Sequence, residues 1–415
     1  MDPFLRKLRR NYSSNEFTYN SDCTVGTEDL VISKQLGGKR VVASYMVVAK
    51  GLEGVVVDTS DICLIDGNAG RLIYRGYDIH DLVANLSFEE VAYLLWNGKL
   101  PNQSQLDDLK KRLAEERSIP GYLKNAIRNL PKSSDNLDVL RTAVSTTGTG
   151  VPLTRPDMSQ AIAITAKIPT INAAFDRIRR GQEPIDPDQS LGHTANYLYM
   201  LTGKAPDSIK AKALDKYFIA LADHSMNSST FAARVVASTW SDMYSSITAA
   251  IGALKGPLHG GAPAPVLKML QDIAKPERAD DWIRGELKAG RRLMGFGHRV
   301  YRTTDPRAEI LRDVARETSD KEFFELARSV EEAGNRILRD YRPERRLYTN
   351  VEFYSAVVMN SVGLPPDLFT PTFAASRCVG WTANVLEQVA NNRLIRPDVE
   401  YTGPKDLKVT PINER

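Results

Sequence analysis

The 415-residue sequence lacks the features of secreted, membrane-spanning and cysteine-rich proteins. Its three cysteines, Cys23, Cys63 and Cys378, lie far apart and form neither a disulfide framework nor a metal-ligand cluster, which suits a reducing compartment. No apolar run approaches the ~18 residues that a membrane-spanning helix needs. We therefore expect a cytoplasmic protein with no membrane partner.

Several common catalytic motifs are also missing from the sequence. There is no Walker phosphate loop, no glycine-rich dinucleotide motif after a strand, no nucleophile elbow, and no HExxH or CxxC metal motif. None of these classes of site is predicted.

The chain has no large excess of charge of either sign, because 55 Lys and Arg face 51 Asp and Glu. Residues 1–50 hold eight basic and five acidic side chains, and the remainder holds 47 and 46, so most of the net charge of +4 lies in the first segment. Nucleic-acid binding needs a basic face, for which this balance gives no support. We expect no nucleic-acid partner.

The remaining composition is that of a globular protein, with 42% apolar and 26% charged residues. The length predicts two domains, or one large domain with a smaller lobe. Residues 1–45 differ, since basic Phe4–Arg10 is followed by polar residues without a period. A targeting peptide is one interpretation, but acidic residues are unusual in such peptides. We expect a disordered or non-native extension.

From about residue 50 onward, the pattern favours an all-α fold. A capping box at Ser87 and Glu90 predicts a helix that closes at Gly98. Further helices are predicted at the following segments: 105–117, 121–130, after Thr304-Asp305-Pro306, and from Thr370-Pro371 to about Val389.

Small residues dominate 228–254, which predicts a buried central helix or a helix at a subunit interface. Strand patterns are scarce. Val55–Val57 and Cys63–Ile65 allow at most a small hairpin.

The five histidines are the first candidates for catalysis: His80, His193, His224, His259 and His298. Glycine and proline on both sides of His259 place its ring on a sharp loop where backbone can approach a ligand, although a solvent-facing loop is equally compatible. His224 fits a capping or core position. Nothing near His80 or His193 indicates more than a surface or structural role.

Glycines also bracket His298, and four arginines lie nearby: Arg292, Arg299, Arg302 and Arg307. Such a cluster commonly forms a solvated face. Near glycine loops and a capped helix start, it could instead bind carboxylates or phosphates through paired hydrogen bonds.

Taken in order, these positions resemble the citrate synthase family, from Gly51 to about Gly403. The resemblance is strongest in four blocks: Lys255–Ala262, Gly295–Ala308, Leu368–Arg377 and Asn391–Pro397. It implies an acyltransferase that condenses acetyl-CoA with oxaloacetate and water to give citrate and CoA. No metal or prosthetic group is implied, because the acyl-CoA is itself a substrate.

The resemblance also implies catalytic roles. Glu352 would remove the α-proton of the thioester, His259 would donate to the thioester oxygen, and His298 would polarise the ketone of oxaloacetate. His224, Arg307 and Arg377 would hold the oxo acid. Arg396 of the partner subunit would complete the site, which implies a homodimer.

Coenzyme A contacts are implied at five further positions. Arg302 matches a position that contacts a CoA phosphate, and the loop of His259 matches one that lies against the adenine. The loop residues are Lys255, Gly256, Gly260 and Gly261.

The implied fold has a large and a small helical domain. Its boundaries would give a large domain at 46–260 and 364–415 and a small domain at 261–363. The active site would lie in the cleft between them, and oxaloacetate would drive its closure.

Two features depart from most of the family. Glu352 stands where aspartate is usual, and Ser225-Met226 stands where a Glu-Leu pair is usual. Both look like a secondary bacterial branch that is still classed as citrate synthase. The alternatives are a 2-methylcitrate synthase using propionyl-CoA, and a silent paralogue that binds oxaloacetate or CoA. Residues 1–50 could also be a partner- or membrane-binding arm.

Overall fold

The computed structural model describes residues 30–36, 39–45, 48–151, 154–260, 263–298, 300–345 and 347–415. Much of the predicted 1–45 extension, residues 1–29 and 37–38, lies outside this range. Its described part forms two antiparallel strands, β1 (Leu30–Leu36) and β2 (Lys39–Tyr45). The origin of the extension stays a prediction.

The chain divides into two compact units. One consists of Met1–Thr59 and Pro397–Arg415, and the other is Ser60–Arg396. Every predicted site residue lies in the second unit. The predicted large and small domains stay a prediction.

The predicted all-α class is confirmed. The helices found in the described residues are α1 (Ile79–Asn85), α2 (Phe88–Asn97), α3 (Gln103–Glu116), α4 (Gly121–Arg128), α5 (Asn136–Thr147), α6 (Met158–Arg179), α7 (His193–Thr202), α8 (Ser208–Leu221), α9 (Ser228–Ser238), α10 (Met243–Leu254), α11 (Pro263–Ile273), α12 (Ala279–Lys288), α13 (Pro306–Thr318), α14 (Lys321–Tyr341), α15 (Val351–Ser361) and α16 (Phe369–Ala390). Short 3₁₀ helices lie at Lys50–Leu52, Pro276–Arg278, Pro366–Leu368 and Ile412–Glu414.

Helix starts follow the capping residues. Ser87 and Glu90 form the predicted capping box of α2, and Gly98 ends that helix in a left-handed conformation. Asp305 caps α13, with Pro306 in its first turn, as predicted. Local side-chain chemistry therefore determines where these helices begin.

The small-residue segment is not one helix. It forms α9 and α10, which pack against each other, and the break between them includes Trp240 at φ +65°. Asp242 then accepts a hydrogen bond from the Ser245 N–H and caps α10. A left-handed residue followed by a new cap interrupts the helix, although the composition alone indicated continuity.

The predicted hairpin is wrong in one strand. Cys63–Asp66 (β3) pairs with Arg71–Tyr74 (β4), which pairs with Tyr77–Asp78 (β5), whereas Val55–Val57 lies in no strand. The β3–β4 turn closes locally because the Asp66 carboxylate accepts backbone hydrogen bonds from the two residues at 68 and 69.

This turn also supports a loop that carries predicted site residues. The carbonyl of Gly67 accepts a 2.8 Å hydrogen bond from the Arg302 N–H. A Cβ atom at Gly67 would lie 2.3 Å from the Val300 carbonyl oxygen, so only glycine allows this approach.

The core of the second unit is built around α6 and α16, which are buried along most of their lengths. Helix α16 carries Arg377 into this core. Across the part of the chain that the structure describes, no helix is both long and apolar enough to cross a membrane.

Candidate active site

The predicted site residues lie on loops and helix starts. His224 lies between α8 and α9, His259 between α10 and α11, and His298 between α12 and α13. Arg307 and Glu352 lie in the first turns of α13 and α15, where backbone geometry is fixed by the caps.

The His298 ring has a defined neutral tautomer. Its Nδ1 accepts hydrogen bonds from the N–H groups of Val300 (3.0 Å) and Tyr301 (3.1 Å). Burial, together with the charge of Arg307, lowers the pKa of His298 to about 4. The neutral ring therefore carries its proton on Nε2, which can donate to a carbonyl oxygen.

His224, His298 and Tyr301 form one cluster. The ring centroids of His224 and His298 lie 5.4 Å apart, and those of His298 and Tyr301 lie 4.7 Å apart. The Tyr301 hydroxyl is 3.4 Å from His224 Nε2. Burial and then Arg307 hold the pKa of His224 well below its ordinary range, so this ring is also neutral.

Arg307 is buried and held at two points by Asp305. Its Nε donates to Oδ1 (3.0 Å) and its Nη2 donates to Oδ2 (2.8 Å). Because Asp305 also caps α13, one carboxylate orients both the helix start and the guanidinium. Nη1 of Arg307 has no hydrogen-bond partner in the described residues and can contact a ligand.

Arg377 is buried in α16 and is oriented by its Nε, which donates to the Leu221 carbonyl oxygen at 2.7 Å. The Phe373 ring lies 4.6 Å from its Cζ. Neither of its terminal nitrogens is hydrogen-bonded within the described part of the chain, which leaves both for a carboxylate.

His259 is held by a residue without any sequence signal. Its Nε2 lies 2.8 Å from Ser229 Oγ. The same oxygen accepts a hydrogen bond from Trp381 Nε1 at 3.0 Å. The Ser229 hydroxyl has two acceptors for its one proton, His259 Nε2 and, at 2.7 Å, Asn227 Oδ1. When Ser229 donates to Nε2, the ring proton of His259 lies on Nδ1.

The pKa of His259 is lowered to about 4 by burial and by the charge of Arg377. At neutral pH this ring is uncharged, like those of His224 and His298. It can thus donate one hydrogen bond without carrying a positive charge.

Glu352 is half-buried, and its backbone N–H donates to the cap Asn350 at 3.2 Å. Burial raises the pKa of its carboxyl, and the opposing charges of Arg307 and Arg377 only partly offset this effect. No side chain in the described residues donates a hydrogen bond to its carboxylate or forms an ion pair with it. A desolvated, unpaired carboxylate is a stronger base than an exposed one.

Two arginines connect these groups electrostatically. The charge of Arg307 acts to lower the pKa of His224, His298 and Glu352. The charge of Arg377 acts in the same direction on the pKa of His224, His259 and Glu352. Six of the seven residues predicted for catalysis and oxo-acid binding, all but Arg396, therefore share one electrostatic environment: His224, His259, His298, Arg307, Glu352 and Arg377.

The residues predicted to bind CoA are more dispersed. Lys255 forms an ion pair with Asp138, and Arg302 is exposed, with no side-chain partner in the described residues. A Cβ at Gly260 would lie 2.6 Å from Leu254 Cδ1, so this glycine has a packing role of its own. At Gly256 the nearest atom would be the Ala253 carbonyl oxygen, at 3.3 Å. Gly261 lies outside the described residues.

The remaining predicted residues lie apart from the cluster. Arg396 is exposed after α16. His80 is at the surface beside Asp78, and His193 is buried against Phe88 at 5.0 Å between ring centroids. Both placements fit the surface or structural role predicted for these histidines. Within the described ranges, no group of three His, Cys, Asp or Glu side chains could hold a metal ion.

The chain is similar to citrate synthases over most of its length. Residues 51–398 match the family described as citrate synthase, C-terminal domain. The chain is 44% identical to citrate synthase 2 of Bacillus subtilis over 380 residues, which cover 89% of this chain and all of that protein (100%). It is 40% identical to 2-methylcitrate synthase 1 of Corynebacterium glutamicum over 382 residues, which cover 89% of this chain and 98% of that protein.

A solved structure shows the same fold. The chain is similar to the citrate synthase of Thermoplasma acidophilum in its ternary complex with carboxymethyl coenzyme A and oxaloacetate, with a TM-score of 0.83 and 34% identity. The match covers 89% of this chain and 99% of that one.

Proposed function

The chain belongs to the citrate synthase family, and we propose that its reaction takes place among His224, His259, His298 and Glu352. It is an acyltransferase that condenses acetyl-CoA with oxaloacetate and water to give citrate and CoA. The observation that carries the site assignment is the group of neutral imidazoles around two buried arginines, of which Arg307 keeps one terminal nitrogen and Arg377 keeps both without a hydrogen bond to any described residue.

Oxaloacetate binding is the first step. Each carboxylate of this dianion is best matched by a planar guanidinium, and Arg307 and Arg377 are both oriented before a ligand arrives. His224 adds a neutral donor beside them. Preorganised donors need little rearrangement on binding.

His298 then polarises the ketone. Its Nδ1 is occupied by two backbone N–H groups, so Nε2–H is the free donor. Donation to the ketone oxygen makes the adjacent carbon electrophilic, and the same proton can neutralise the alkoxide as the carbon–carbon bond forms.

Glu352 and His259 generate the nucleophile. Glu352 takes a proton from the methyl carbon of acetyl-CoA while His259 donates to the thioester oxygen, giving an enol or enolate. This carbon attacks the ketone. Water then cleaves the thioester bond and releases the CoA thiol.

We also propose an assembly, a set of CoA contacts and a metabolic role for the enzyme. The enzyme is a cytoplasmic homodimer, and Arg396 of the partner subunit completes each site. Arg302 and the loop of Lys255, Gly256, Gly260 and Gly261 contact CoA. No metal or prosthetic group takes part. The reaction supplies citrate to the tricarboxylic acid cycle.

A thiol-release assay with acetyl-CoA and oxaloacetate tests the assigned roles. We expect Glu352→Gln and His259→Ala each to lower kcat by about 100-fold or more, because the base and the enolate donor are lost. His80→Ala, at the surface, is the matched control and should keep the wild-type rate. Wild-type rates in both site variants would show that the roles are wrongly assigned.

The 2-methylcitrate alternative rests on one observation, the 40% identity to 2-methylcitrate synthase 1 of C. glutamicum. One methyl group changes pocket binding by only ~1–3 kcal/mol, so small differences in lining residues can shift the preference. Comparing kcat/KM for acetyl-CoA and propionyl-CoA decides between them. A larger value for propionyl-CoA would replace the proposed acyl donor.

A further inference from the structure

Asp223, which precedes His224, is a buried carboxylate that the proposed mechanism does not use. It is completely buried, and it follows the carboxyl end of α8. Its Oδ2 accepts a hydrogen bond from the Ser225 N–H at 2.8 Å, and its Oδ1 accepts from Asn384 Nδ2 at 3.1 Å. Both carboxylate oxygens are therefore engaged, on the two sides of the His224 turn.

The backbone of Asp223 is hydrogen-bonded as well as its side chain. The Tyr74 hydroxyl donates to the Asp223 carbonyl oxygen at 2.8 Å and accepts from its N–H at 3.2 Å. Ser225 has a φ of +51°, which is unusual for a residue with a side chain, and the bond from its N–H to Asp223 stabilises this turn. The turn determines the direction in which His224 leaves the chain.

The same segment packs tightly against α16 one turn beyond Arg377. A Cβ atom at Gly380 would lie 2.3 Å from the Ala222 carbonyl oxygen and 2.4 Å from Asp223 Oδ1. The Leu221 carbonyl oxygen, at the start of this segment, accepts from Arg377 Nε. Any shift of residues 221–223 therefore moves both His224 and the partner of Arg377.

Charge links Asp223 to Arg377 as well. No carboxylate oxygen of the described residues lies within 4.0 Å of a guanidinium nitrogen of Arg377. Because this guanidinium is buried, it needs a compensating charge. Burial lowers the pKa of Arg377, and Asp223 is the strongest influence in the opposite direction. The carboxylate thus offsets a buried cation without a hydrogen bond to either terminal nitrogen of Arg377.

We propose that Asp223 is a positioning residue for oxo-acid binding, which orients His224 and balances the charge of Arg377 from behind the site. This inference rests on the proposed function, because it assumes that these two residues hold oxaloacetate. Asp223 itself does not touch the substrate. It acts on oxaloacetate and not on the acyl-CoA.

The test is Asp223→Asn, which keeps the shape but removes the charge and one of the two acceptors. We expect the KM for oxaloacetate to rise roughly ten- to hundred-fold, while the KM for acetyl-CoA changes less than about two-fold. Asp176→Asn is the matched control, since Asp176 is fully buried in α6 and ion-paired with Arg179 and Arg180. It should alter thermal stability without altering either KM.

Tyr74→Phe is a second variant in case Asp223→Asn does not fold. It keeps the carboxylate but removes both hydrogen bonds to the Asp223 backbone. We expect a rise of roughly three- to ten-fold in the KM for oxaloacetate. A folded variant at either position with a KM within two-fold of the wild type overturns the proposal.

Calorimetric titration of oxaloacetate separates this failure from failure of the proposed function. If the wild type binds oxaloacetate but releases no thiol, the catalytic assignment fails. The role of Asp223 then still predicts weaker oxaloacetate binding in Asp223→Asn. Equal affinity of the two proteins overturns it.

Discussion

At the residue scale, burial makes His259 and His298 neutral hydrogen-bond donors. The pKa of His259 and of His298 is lowered to about 4, by burial first and then by a nearby arginine. A donor that stays uncharged at pH 7 can stabilise a developing oxyanion without first losing a proton. The arginines that we propose to bind the oxo acid, Arg307 and Arg377, thus also help to keep the rings beside them neutral.

Burial of a neutral imidazole also makes stability depend on pH. His193 stacks on Phe88 and has no hydrogen bond to either ring nitrogen in the described residues. Its pKa is lowered to about 3 by burial, against an ordinary 6.5. The folded state therefore disfavours the protonated ring, so this contribution is complete above pH 6.5 and is lost as the pH falls towards 3.

We predict that His193→Phe reduces this acid sensitivity. Below pH 6.5, the wild type should lose up to about 1.4 kcal/mol of unfolding free energy per pH unit from this group, and the variant should not. Urea unfolding at pH 7, 6 and 5 measures the difference. A slope in His193→Phe equal to that of the wild type would contradict the prediction.

At the scale of elements, the β3–β4 turn supports the loop that carries His298. It contacts the loop through the Gly67 carbonyl and Arg302 N–H, and it leaves no room for a side chain at position 67. The same loop carries His298 and Tyr301. The small sheet of this helical protein therefore helps to hold the loop in place.

We predict that Gly67→Ala displaces the loop. The added Cβ cannot stay 2.3 Å from the Val300 carbonyl oxygen, so the backbone must move. The expected result is a roughly 10- to 100-fold lower kcat and about 1–3 kcal/mol less stability. Gly121→Ala, where a Cβ meets nothing within 4 Å, is the control for both measurements. An unchanged kcat in Gly67→Ala would exclude the supporting role.

At the scale of the whole molecule, the proposed dimer makes each site depend on two chains. Arg396 lies at the end of the second compact unit and is exposed. In a two-fold symmetric dimer, the same residue can serve the site of the partner. Mixed dimers distinguish this arrangement from one in which Arg396 serves its own chain.

We predict complementation between Arg396→Ala and His259→Ala. After equimolar co-refolding, about half of the dimers are mixed, and each has one intact site, which gives about a quarter of the wild-type activity. Thiol release measures the recovery. Each variant refolded alone should stay near its own low rate, and a mixture no more active than the two parents would place Arg396 outside the partner's site.

Much of this protein follows from its sequence. Caps such as Ser87 and Asp305 are local, because a side chain bonds the backbone two or three residues away, so helix starts were predictable. The ordered His, Arg and Glu positions indicated the family. The break at Trp240 and the true partner of β3 were not predictable, because backbone conformation and packing overrode composition there.

Only the tertiary structure decided how the site residues are held. Ser229 bonds His259 across 30 positions, Asn384 bonds Asp223 across 161, and Tyr301 meets His224 across 77. These contacts have no sequence pattern, because they depend on where distant elements pack. The sequence thus determined the helical class and the reactive residues, while packing determined their protonation and orientation, since burial and neighbouring charge exist only in the folded chain.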